Sequence, residues 1–263
     1  MAKLSKQVEN RLTVSGKVMA SAQAHGGEVA KALAAQAEAV GVAKAKAEVF
    51  EATLGALRQM LDHAAGELRK AELGYAAEQA DDVKPRGDRD ALAAELVALM
   101  TRLRSTVEDA LGPEALATYG LEGSTPRAAR ALSSHVANVA SLMEKKPAKV
   151  TTELGSSFST AAIVGAIKPK GAALEGALAV VDREARELEQ ALGVRDQAVE
   201  AWTEVYQGVA TALSGLYRLS GRKDLADRVR PTTRSLSGED ASGGEGSGAE
   251  GGSAGAGGVP AGG

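Results

Sequence analysis

The chain has 263 residues with a formal net charge of −3, 25% charged residues, 3% aromatics and no cysteine. Those numbers exclude disulfides, thiolate metal sites and cysteine nucleophiles, and the charged fraction is that of an ordinary soluble protein rather than a disordered one. Fifty-three alanines with few rings suit closely spaced helices, because alanine is the best helix former, and suit a β-sandwich badly.

No signal-peptide core precedes the early charges of MAKLSKQVENRLTV. The longest apolar run, Ala161 to Ile167, is far short of the roughly 20 residues a spanning helix needs. The expected location is cytoplasmic, and the Ala/Gly/Arg-rich composition points to a GC-rich bacterial genome.

Residues 4–24 read as a first helix, with a break at Gly26-Gly27. Strides of four and three from Val29 then pass through Leu33, Gln36, Val40, Ala43, Ala47, Phe50, Leu54, Leu57, Leu61, Ala64, Leu68 and Ala71 to Tyr75, and only Gln36 is polar. That is an a/d heptad seam, which predicts one long helix over 28–80. Asp81 to Gly87, with Pro85 inside, reads as a reversing turn.

Asp88 or Asp90 is the expected cap of the next helix, with Leu92, Leu96, Leu99, Leu103, Val107 and Ala110 on its buried stripe. Gly112-Pro113 stops it, and Pro113–Ala117 forms a short extra turn. Ser124-Thr125-Pro126 predicts the start of a helix that ends at Lys145-Lys146-Pro147. A short helix is expected over Ser157 to Ile167, closed by Lys168-Pro169-Lys170-Gly171.

A second long helix follows over 172–219. Twelve of its thirteen seam positions from Leu174 to Leu216 are apolar, with Arg195 the exception. A last short helix, Lys223 to Val229, runs into Pro231. At an offset of 109 residues Gly112 falls on Gly221 and Leu116-Ala117 on Leu225-Ala226, which suggests an internal duplication of about 28–126 and 127–235.

The predicted fold is all-α: an elongated antiparallel bundle over 1–236 with two long coiled-coil-like helices. Residues 237–263 form a disordered acidic Gly/Ser-rich tail with twelve glycines. The tail carries Glu239, Asp240, Glu245 and Glu250 and no cation, so the body is −3 + 4 = +1. A body that close to neutral carries no clear nucleic-acid signal.

Motif by motif, the chain supplies no catalytic, cofactor or metal site. Gly246, Gly248 and Gly251 spell G-x-G-x-x-G, and Gly251, Ser253 and Gly255 spell G-x-S-x-G. Both lie in the tail, without the strand and helix that give those motifs their chemistry. His25, His63 and His135 lack a Glu-x-x-His or an i+4 histidine partner, so they read as helix residues, with His63 and His135 partly buried. Gln36 and Arg195 read as places where a helix leaves the core or kinks.

One charged stretch stands out. Arg218, Arg222, Lys223, Arg228, Arg230 and Arg234, with Asp224 and Asp227 among them, give 6 − 2 = +4 within 218–234. They form a candidate patch for an anion or for the acidic tail. The alternative is a solvated helix end, where cations are favourable.

The expected function is that of a non-enzymatic structural or protein-interaction protein, binding a protein partner or a second copy, with no small-molecule ligand or cofactor. The alternative is a membrane-surface or membrane-active helical protein using the small apolar segment 155–167.

Overall fold

A computed structural model describes residues 3–42, 45–151 and 157–238. The described chain is all-α apart from one two-stranded hairpin. It divides into two compact units, Lys70–Ala198 and Leu4–Arg69 with the chain from Val199 onward. We call these unit 1 and unit 2. The tail beyond Gly238, including both of its glycine motifs, lies outside the described residues, as does Ala43 of the predicted seam.

Helix α1 (Lys6–Ala39) is opened by Ser5, whose hydroxyl accepts from the Val8 amide. Its buried stripe is Val8, Ser15, Val18, Ala22, Gly26, Val29 and Leu33, the 3.6-residue period of an amphipathic helix. The predicted break at Gly26-Gly27 is absent. Gly26 is buried in mid-helix, where a Cβ would stand 3.8 Å from Leu54 Cδ1. Packing of the flanking valine and leucine positions outweighs the roughly 1 kcal/mol intrinsic cost of a helical glycine.

The break falls fifteen residues later, which corrects the single helix predicted over 28–80. Gly41 takes φ +80°, its amide bonds to Glu38 O, and Val42 N bonds to Ala37 O. These bonds close the end of α1 in the left-handed manner glycine permits. Val40 is 77% exposed and Gln36 is exposed, so the middle of the predicted seam is solvent-facing. A heptad count cannot register this stop, because the apolar positions before and after it share one phase.

Helix α2 (Ala47–Asp81) buries Leu54, Leu61, Ala65, Leu68 and Glu72. Only Asp82, at φ −67° and ψ −20°, separates it from α3 (Val83–Leu111). The predicted reversal over 81–87 therefore does not occur, and neither Asp88 nor Asp90 is a cap. Pro85 sits in the first turn of α3, where a missing N–H is tolerated. Asp82 N to Glu78 O and Arg86 N to Asp82 O carry helical bonding across the junction, and Arg86 pairs with Asp82.

Gly112, at φ +85°, ends α3 ahead of the short α4 (Glu114–Thr118), as predicted. Helix α5 (Ala129–Lys145) begins three residues after the predicted Pro126 start and has no side-chain cap. Strands β1 (Lys149–Thr151) and β2 (Ser157–Ser159) pair antiparallel, Val150 opposite Phe158, where a helix was predicted from Ser157. Thr160 accepts from Ala148 N and donates back to Ala148 O, which pins the base of the hairpin. Phe158 points into the unit 1 core.

From Thr160 a single helix, α6, continues to Leu219 over 60 residues. The stop predicted at Lys168–Gly171 is not there. Pro169 is carried inside the helix, where it has no N–H to give to the carbonyl of Gly165, four residues before it. Gly171 is buried, and a Cβ there would come within 2.9 Å of Val136 Cγ1. Gly171 therefore admits a packed neighbour and does not end the helix.

Helix α7 (Lys223–Val229) follows Gly221 at φ +82°. Helix α8 (Thr233–Ser237), absent from the sequence prediction, opens with a reciprocal Thr232–Ser235 capping box.

The two cores differ in chemistry. Unit 1 packs Leu96, Met100, Val107, Leu132, Met143 and Leu174. Unit 2 is built around Trp202, Tyr206 and Tyr217, all at most 2% exposed. No helix among the described residues is long and apolar enough to cross a membrane.

Candidate functional site

The predicted basic patch lies in unit 2, along the last turn of α6 and through α7 and α8. Two of its six cations are neutralised locally. Arg218 pairs with Asp227 at 3.3 Å. Arg222 pairs with Glu28 at 3.2 Å and with Asp224 at 3.4 Å. The hydrogen bond from Arg222 is the first cause that holds the Asp224 carboxyl below its usual range. Lys223, Arg228, Arg230 and Arg234 are exposed, and no carboxylate among the described residues pairs with them. The structure thus reduces the patch to a ridge of four exposed cations along the chain, Lys223 and Arg228 on α7, Arg230 just after it and Arg234 on α8.

A polar clasp that the sequence reading missed holds this ridge to α1. The Trp202 indole N–H donates to Ser15 Oγ at 2.9 Å, and Ser15 donates to Arg11 O at 2.9 Å. The Arg11 guanidinium lies 5.7 Å from the Trp202 ring centroid. The same guanidinium donates to the carbonyls of Leu236 (3.2 Å) and Ser237 (3.3 Å), the end of α8. Tyr206 stacks on Trp202 at 5.0 Å and shares a hydrogen bond with Ser235. Asn10 Nδ2 donates to Gly238 O at 2.8 Å. The one sequence signal was a serine on the buried stripe of α1: an indole N–H taken into a core needs an acceptor.

Arg195, the polar member of the α6 seam, stands in unit 1 and is not a kink. Its Nε lies 3.7 Å from Glu72 Oε2, its Nη2 lies 3.2 Å from Asp196, and its guanidinium stacks 5.4 Å from the Tyr75 ring centroid. Glu72 is 4% exposed, a buried carboxylate that the half-buried guanidinium of Arg195 balances. The seam reading placed Ala71 inward. The buried series 61, 65, 68, 72 keeps Leu61 and Leu68 of that frame but takes Ala65 and Glu72 in place of Ala64 and Ala71, and this is why the partner was missed.

Three carboxylates in unit 1, Glu78, Glu184 and Glu187, place one oxygen each within 4.8 Å of one another. Arg183 pairs with Glu184 at 2.8 Å and Glu187 at 3.7 Å, so the arrangement is an ion-pair network on a helix surface. His63 is exposed, which corrects the expectation of partial burial, and His25 and His135 are half-buried. Burial pushes the His135 imidazole below its ordinary pKa. The three histidines do not converge in that cluster.

Among the grooves on unit 1, two are the most enclosed or apolar. One of about 300 Å³ runs between α5 and α6, past Ser133, Ala137, Glu144, Lys168 and Glu175. The other, about 400 Å³, lies between α3 and the hairpin and is lined by Ala110, Phe158, Ala162 and Ile163. Neither brings a nucleophile, a base and an oxyanion donor together.

The apolar residues of segment 155–167 have a structural use. Phe158, Val164 and Ile167 are buried in the unit 1 core, while Gly155 and Ser156 lie outside the described residues. Comparison of the chain with protein-family models, with curated proteins and with solved structures finds no match.

Proposed function

We propose that this chain is a non-catalytic structural or protein-interaction protein whose long helices present surfaces to a protein partner or to a second copy. The observation that supports this reading is a pair of exposed large apolar side chains on one line of α2. Leu54, Leu61, Ala65 and Leu68 are buried, yet Val49 and Met60, eleven residues or three turns apart, are 58% and 55% exposed. Thr53 and Ala56 lie between them on the same line, at i+4 and i+7. A helix with one apolar stripe in its core needs no other apolar side chains, and an exposed pair is available for association.

The membrane alternative draws less support, because it requires the apolar side chains of 155–167 to be free for lipid.

The test is a Val49→Lys/Met60→Lys variant compared with the native chain by light scattering and by affinity capture from host lysate. Loss of a specific partner, or of self-association, in the variant supports the reading. Identical behaviour of the two proteins removes its basis.

A further inference from the structure

We propose that the ridge Lys223, Arg228, Arg230 and Arg234 is the docking surface of the chain's own acidic tail, residues 239–250, which occupies it at low ionic strength. This goes beyond the interaction reading above and does not depend on it.

The ridge has cations to spare. Arg218 and Arg222 have carboxylate partners within reach, whereas the other four have none among the described residues. The tail has the opposite imbalance, with Glu239, Asp240, Glu245 and Glu250 and no Lys or Arg.

The two sets are arranged as reflections about Ser237. Asp240 is three residues beyond it and Arg234 three before. Glu245 is eight beyond, with Arg230 seven and Arg228 nine before. Glu250 is thirteen beyond and Lys223 fourteen before. The charges of opposite sign are therefore spaced symmetrically in sequence on either side of Ser237.

The turning point is built. Gly238 is buried with φ +76°, and a Cβ there would stand 2.7 Å from Gln7 O. Only glycine fits that approach. Asn10 and Arg11 hold the carbonyls of residues 236–238. The tail therefore leaves from a fixed point at the end of the ridge. The twelve residues 239–250 can span at most about 40 Å when fully extended. The seven residues of α7 extend about 10 Å. A tether that short gives an effective concentration on the order of millimolar. The attraction is between exposed charges, so it fades as the Debye length shrinks from about 10 Å at 0.1 M salt to about 3 Å at 1 M.

The chain has no cysteine, so Ser247→Cys gives a single attachment point for a nitroxide on the full-length protein. The amide signals of 223–234 are expected to lose intensity at low salt and to regain it in 1 M salt. They should also regain it when Glu239, Asp240, Glu245 and Glu250 are replaced by Gln or Asn, or when the four ridge cations are replaced by Gln. Trp202 emission checks that each variant keeps its fold.

A 20-base-pair DNA duplex serves as a generic polyanion probe. It should bind a 1–238 chain several-fold more tightly than the full chain, and the neutral-tail variant should match the truncation. Unaltered signals at low salt would overturn the proposal. So would broadening that salt does not relieve, or broadening seen only when labelled and isotopically enriched molecules are mixed, which would assign the tail to a second copy. Equal duplex affinity with and without the tail would also overturn it, leaving the ridge open to outside anions.

Discussion

Helices α3 and α6 end by one device and lead into different surroundings. Each stops at a left-handed glycine, Gly112 at φ +85° and Gly221 at φ +82°, and each is followed by a short helix with a buried leucine, Leu116 or Leu225. Past α4, unit 1 is closed by Tyr119, whose hydroxyl donates to Lys146 O at 2.9 Å, and by aliphatic packing on α5. Past α7, unit 2 is closed by α8, which reaches back to Arg11, Tyr206 and the first turns of α1. A mostly aliphatic core is held chiefly by fit, with one hydroxyl, that of Tyr119, bonded at its edge. An aromatic core with polar edges also fixes its partners by hydrogen bonds, and it can tie in a five-residue helix too short to be stable by itself.

The largest effect that separates the units is expected from Trp202→Ala. It removes the centre of unit 2 and should cost about 3–5 kcal/mol, read as a lower urea midpoint with early loss of protection in α8. Retained protection in α8 would break the link drawn between ring and helix. The counterpart in unit 1 is Gly171→Ala, whose Cβ would press on Val136 at 2.9 Å. Overpacking of this kind costs about 1–3 kcal/mol, and Gly171→Ala/Val136→Ala should recover part of that loss in the same denaturation assay.

Ser15→Ala comes next. It leaves the buried Trp202 N–H without its acceptor, for about 1–3 kcal/mol, and Trp202 emission should shift. Ser15→Thr, which keeps a hydroxyl, should shift it less.

The smallest effects are in pH, and they run in opposite directions. Burial lowers the His135 pKa, so the unfolded chain takes up protons that the folded one resists, and stability falls as pH drops below 6.5. Burial raises Tyr206 and Tyr217, so the unfolded chain loses protons first, and stability falls as pH climbs past 10.0. His135→Gln should flatten only the acid limb of a midpoint-against-pH curve, and Tyr217→Phe only the alkaline one. A shared response would mean that other groups set both limbs.

Many helices were legible from apolar spacing alone: the Gly112 stop and α4 stand where the pattern puts them, and the α6 seam is buried at Leu174 and again from Trp202 to Leu213, whereas Ala185 between them is exposed. Junctions were less legible, because glycine and proline have two uses each. Gly26 and Gly171 admit a neighbour, whereas Gly41 ends a helix, and the letters are the same. Pro85 and Pro169 were read as stops and are carried inside helices. Four of the six ridge residues emerged as an unpaired set only when Asp227 and Glu28 were seen to engage the other two. Arg11 gave no signal, and Ser15 only that of a serine on an apolar stripe, because their partners are more than 180 residues away, as in the pair Ser15–Trp202 with a separation of 187.

The order in which the chain is made bears on the contact between Asn10 and Gly238, 228 residues apart. Apart from Met1–Lys3, unit 1 is one continuous stretch from Lys70 to Ala198, whereas unit 2 is assembled from both sides of it. During synthesis the first helix emerges early, and its apolar stripe must wait without its partner until Trp202 and then α8 leave the ribosome. Contacts of such separation form slowly, and domains emerging first fold first. Unit 1 should therefore be complete while α1 is still an open, aggregation-prone amphipathic helix. The glycine that fixes the exit of the tail is among the last residues needed to close it.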